Sequence, residues 1–90
     1  MNTLLISYDL NRPHQDYPKL LDKLRSYGTH WHNLDSFWLV KTNESAVHLR
    51  DVLKPLIDGD DELLVMDVTG DGWASKGFSD KATKWLKDHV

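Results

Sequence analysis

The sequence predicts an α+β fold: a four-stranded antiparallel sheet with two helices on one face and a further helix at the C-terminal end. Three observations lead there. Four short runs rich in β-branched, aromatic and leucine residues alternate with stretches whose apolar residues recur at helical spacing. The second and third runs are joined by only Leu34 and Asp35, a connection that holds two strands as an antiparallel hairpin. After the fourth run, a glycine-rich segment leads to a serine-capped stretch with Ala82, Trp85 and Leu86 on one side.

The elements follow in order. Thr3 to Leu10 is a nearly continuous apolar run, the pattern of a central strand covered on both faces. The loop Asn11-Arg12-Pro13-His14-Gln15-Asp16 is rich in turn formers, and Asp16 is the expected N-cap of a helix reaching about Tyr27. Tyr17, Leu20, Leu21 and Leu24 give that helix its apolar stripe, Pro18 fits its first turn, and Gly28 stops it. Thr29 to Asn33 and Ser36 to Thr42 form the hairpin. A second helix starts at Asn43 or Ser45, carries Ala46, Leu49, Val52, Leu53, Leu56 and Ile57 inward, and ends at Pro55 and Gly59. The fourth strand, Glu62 to Thr69, is apolar enough to predict a well-covered strand. Gly70 to Phe78 leaves the sheet as a loop anchored by Trp73 and Phe78, and Ser79 caps a terminal helix through Lys87. Strand, helix, strand, strand, helix, strand is the split β-α-β order of a ferredoxin-like fold, a single domain over residues 1–90 in which the first and third strands are central. Helices on one side of the sheet leave the other face to the C-terminal helix, a second subunit, or both.

Composition excludes several function classes. A domain of 90 residues buries roughly 60 to 65 per cent of its unfolded surface, a thin margin that makes dimerisation plausible. There is no cysteine, so neither a disulfide framework nor a thiolate zinc site is expected. No segment approaches the length of a membrane span and no basic stretch precedes the first apolar run, so a cytoplasmic protein without a leader is expected. A net charge of −3 is not the footprint of a strong phosphate-backbone binder, although it leaves room for a local basic patch. Four tryptophans are many for this length, and part of that aromatic surface is expected to face a partner.

Chemistry concentrates around the first strand. Asp9 ends it, where a rigid backbone holds a carboxylate in solvent. That suits a metal ligand, although turn capping is the commoner use of such an Asp. Asn11 and Arg12 follow as candidate polar and phosphate contacts, Arg12 because its fork matches phosphate oxygens. His14 is a candidate proton shuttle. The loop lacks the glycines of a dinucleotide or P-loop cradle, which makes a Rossmann reading unsuitable. His30 and His32 share one strand face, with Trp31 on the other, and offer a metal half-site or an acid-base pair; His32 is also a candidate substrate contact. Asp58-Gly59-Asp60-Asp61-Glu62 has the composition of a calcium loop but not the EF-hand register, and reads as a solvated turn. Trp31, Trp38 and Trp73 invite base stacking, but no RNP-type aromatic-basic motif is present, and core or interface use accounts for them more simply.

Several of these residues carry a family resemblance. Tyr8-Asp9-Leu10-Asn11-Arg12-Pro13, Trp31-His32, Asp61-Glu62-Leu63-Leu64-Val65, Gly77-Phe78 and Trp85-Leu86 make the chain resemble the SinR-like and VapD-like relatives of the small CRISPR-adaptation subunit. The resemblance covers nearly the whole chain, and its opening and Trp-His are the distinctive parts. It implies a ferredoxin-like homodimer in which Asp9 of each subunit lies near the two-fold axis and holds a divalent metal, Mg²⁺, for phosphodiester cleavage. The chain departs from the adaptation subunits in its negative charge and in ending with a helix where that family commonly has a strand that pairs across the dimer. Two expectations result. The first is a metal-dependent phosphodiesterase acting on RNA or DNA. The second is a non-catalytic homodimeric scaffold that binds a partner protein or a nucleotide-like ligand.

Overall fold

A computed structural model describes residues 1–10 and 17–90. Its elements are β1 (Asn2–Asp9), α1 (Pro18–Arg25), β2 (His30–Leu34), β3 (Phe37–Thr42), α2 (Ala46–Leu53), a 3-10 turn (Lys54–Leu56), β4 (Glu62–Asp67) and α3 (Asp80–His89). The chain is α+β, with one antiparallel sheet in the order β2-β3-β1-β4. β1 and β3 are therefore the inner strands. β1 pairs along its length with both neighbours, from Asn2↔Thr42 to Ser7↔Phe37 on one side and from Leu4↔Asp67 to Asp9↔Glu62 on the other.

Alternation along the strands builds two cores. Leu4, Ile6, Trp38 and Val40 point to the face carrying α1 and α2, where they meet Leu20, Leu24, Leu49 and Leu53. Each of those buried aliphatic side chains contributes roughly 1.5–3 kcal/mol by leaving water. On the opposite face, Trp31 and Leu39 pack against Ala82 and Leu86 of α3, with Leu5, Phe37, Phe78 and Trp85 around them. The terminal helix covers part of the second face, one of the covers that the sequence allowed.

Local chemistry fixes the ends. Ser45 and Ser79 cap α2 and α3, their hydroxyls accepting from the His48 and Ala82 amides at 3.1 and 3.2 Å. α1 begins at Pro18 with Tyr17 at its N-cap position and no side-chain cap, while the expected cap Asp16 lies outside the described residues. α1 closes at Ser26 rather than near Tyr27, and Pro55 converts the expected last turn of α2 into the 3-10 turn. Gly70 and Gly77, at φ of 73° and 84°, shape the loop into α3 where a side chain would strain the backbone. α3 is held at both ends: the Trp31 indole donates to Ala82 O at 3.2 Å, and Lys41 Nζ donates to His89 O at 3.1 Å and to Thr3 Oγ1 at 3.0 Å.

One expectation fails. β4 is not a well-covered strand; it is an edge strand, with Leu64 and Met66 51% and 48% exposed. α3 packs over β2 on the far side of the sheet, so the outward residues of β4 lack a cover among the described residues. An apolar run records hydrophobicity, not which strand edge or face receives a neighbour. No helix among the described residues is long and apolar enough to cross a membrane.

Candidate functional site

Asp9 lies at the exposed C-terminal end of β1, directly opposite Glu62, the first residue of β4. Leu4, Ile6 and Tyr8 belong to the α1/α2 face, so alternation turns Asp9 to the second face. The same alternation turns Glu62 there, since Leu63 and Val65 pack on the helical face. The two carboxylates thus sit side by side on a cleft of 260 Å³ shared with Ser7, Tyr8, Leu63 and Leu64. Neither makes an ion pair among the described residues. Like charges directly opposite each other on neighbouring strands repel. A divalent cation between them would turn that repulsion into ligation, because hard cations take carboxylate oxygens and Mg²⁺ needs only one or two of them beside its waters.

A second assembly occupies the other side of the same sheet end. Trp38, 1% exposed, donates from its indole nitrogen to the Tyr8 hydroxyl at 3.2 Å. His32 stacks on the indole with centroids 3.9 Å apart, and His30 lies tilted against it at 5.7 Å. Backbone carbonyls hold each imidazole: His30 Nδ1 is 2.8 Å from Tyr27 O and His32 Nε2 is 2.7 Å from Asp35 O. A carbonyl only accepts, so His30 Nδ1 and His32 Nε2 each carry a proton and donate it.

The chain matches no protein-family model, no curated protein and no solved structure. The site therefore rests on its own geometry.

Of the sequence-predicted site residues, Asp9 and His32 are placed, while Asn11, Arg12 and His14 lie outside the described residues. Asp9 and His32 share an end of the sheet but point to opposite faces, with β3 between their strands, so the structure does not join them in one constellation. Trp31 and Trp38 are core residues, as their expected role requires, whereas Trp73 is 39% exposed. In the acidic turn, ligand atoms of Asp58, Asp60 and Asp61 come within 4.8 Å of one another. There the Asp58 amide donates to Asp61 Oδ2 at 2.8 Å, which fits a turn held by its own hydrogen bonds, while Arg50, in the neighbouring cleft, pairs with Asp51. Sequence reasoning missed Glu62 and the Tyr8 hydroxyl. Glu62 was legible as a strand start, but only the β1–β4 register sets it beside Asp9.

Proposed function

We propose that the protein is a ferredoxin-like, Mg²⁺-dependent phosphodiesterase acting on RNA or DNA, and that it works as a homodimer. The observation that carries the reading is the opposed Asp9–Glu62 pair on an open cleft. The fold assignment is supported by the strand order, in which β3 splits the β1-α1-β2 unit and β1 splits the β3-α2-β4 unit. The family assignment rests on the resemblance to the SinR-like relatives of the CRISPR-adaptation subunit. In this reading Asp9 and Glu62 hold the metal, Arg12 and Asn11, which follow Asp9 in the chain, hold the phosphate, and His14 moves a proton. Mg²⁺ held by these two carboxylates would supply Lewis-acid chemistry to the phosphoryl group.

The alternative reading, a non-catalytic scaffold, draws on the uncovered Leu64 and Met66, which give the second face an apolar strip fit for a protein partner. The discriminating experiment incubates the protein with RNA and DNA substrates in Mg²⁺ or Mn²⁺, with Asp9→Asn, Glu62→Gln and EDTA in parallel. Cleavage lost in all three controls supports the enzyme. Cleavage that survives both substitutions points to contamination or another site, and no cleavage in the wild type moves the reading to the scaffold.

A further inference from the structure

Independently of the carboxylate pair, the second face holds an open cavity of 320 Å³ lined by the sheet, α3 and the loop from Asp71 to Phe78. Both phenylalanines of the chain and two of its four tryptophans line it: Phe37, Phe78, Trp31 and Trp73. The rings do not form a parallel stack. Phe37 stands at 84° to Trp31 with centroids 6.1 Å apart, and Phe78 at 53° with centroids 5.5 Å apart. They are walls in different planes over an aliphatic floor that includes Leu5 and Leu39. The Trp31 indole N–H is already given to Ala82 O, so its donor is spent and the ring is fixed in place. Asp71 brings the only charged side chain among the described lining residues.

We propose that this cavity is a binding site for a small organic ammonium ion of the alkylammonium or methylated-amine class, with its apolar body among the rings and its charge toward Asp71. Aromatic faces are electron-rich, so a ring-walled cavity attracts a cation and repels an anion. A single carboxylate at the wall adds the same preference. Apart from Asp71 and the two indoles the lining side chains are apolar, so a polar neutral or anionic ligand would recover little of the hydration it loses. The volume lies at the small end of ligand pockets, which suits one short-chain or single-ring amine. Trp73, 39% exposed in the wall, is placed to report an occupant by fluorescence.

The test titrates the full chain with phenethyltrimethylammonium, 2-phenylethanol and 3-phenylpropionate, followed by calorimetry and tryptophan fluorescence, with thermal melts to show that each variant is folded. The cation is expected to saturate and to bind roughly ten-fold tighter than the alcohol, and the anion weakest of the three. Asp71→Asn, an exposed loop change, is expected to weaken the cation about five-fold and leave the alcohol unchanged. Equal affinity for cation and alcohol, no effect of Asp71→Asn on the cation, or no saturable binding overturns the proposal. A concentration-dependent dimer broken by Trp73→Ala, with no probe bound, would assign the cavity to a second copy of the chain and overturn it as well.

Discussion

Asp9→Asn is expected to stabilise the metal-free protein. Directly opposed cross-strand residues have Cβ atoms about 4.5–5.5 Å apart, and two unit charges about 5 Å apart in water-like surroundings repel by roughly 0.8 kcal/mol. Both side chains are exposed, so mobility and salt reduce this to about 0.5 kcal/mol. For a domain of this size that is a rise of roughly 2–4 °C in melting temperature. Glu62→Gln should give the same rise, and the double variant little more, since one repulsion is lost only once. Mg²⁺ should reverse the ranking. At about 10 mM Mg²⁺ and a dissociation constant of about 1 mM, wild type gains roughly 1.4 kcal/mol and the variants do not. Thermal melts by circular dichroism at low salt, in EDTA and then in MgCl₂, read both effects. A lower melting temperature for Asp9→Asn in EDTA would make Asp9 a structural cap of the following loop. An equal Mg²⁺ shift in wild type and variants would remove the metal from this pair.

Lys41→Met is expected to loosen the end of α3 by removing the donor to Thr3 Oγ1 and His89 O. The cost is about 1.5 kcal/mol in denaturant unfolding, with faster amide exchange confined to the last turn of that helix. Leu86→Ala, at the centre of the α3 contact, should cost about 2–4 kcal/mol and increase dye binding to the second sheet face. Tyr27 supplies a pH dependence. Burial first, and then its hydrogen bond to the Glu44 carboxylate, raise its pKa above the ordinary 10.0. Above about pH 10 the unfolded chain loses this proton while the folded chain keeps it, so stability falls as pH rises. Tyr27→Phe should flatten that alkaline fall in urea unfolding from about pH 10 upward, where the unfolded phenol titrates and the folded one does not. An unchanged slope would show that the phenol titrates alike in both states.

The sequence alone determined the kinds and order of elements, because these are local matters. Helical spacing at Leu20, Leu24, Leu49 and Leu53, the serines at positions 45 and 79, and the two-residue link at Leu34-Asp35 act within a few residues of the backbone they shape. The same locality made Asp9 legible as a strand-end carboxylate and put His30 and His32 on one face. Only the tertiary structure decided what lies across from them. Strand register, a long-range property of backbone pairing, set Glu62 beside Asp9, and the alternation of side chains sent His32 to the opposite face. Edge position left Leu64 and Met66 in solvent although their strand reads like a buried one. The packing of α3 brought Trp31, Phe37, Trp73 and Phe78, residues from three separate segments, around one cavity. Hydrophobicity states that these side chains must leave water; which neighbours they meet is fixed only when the strands have chosen their partners.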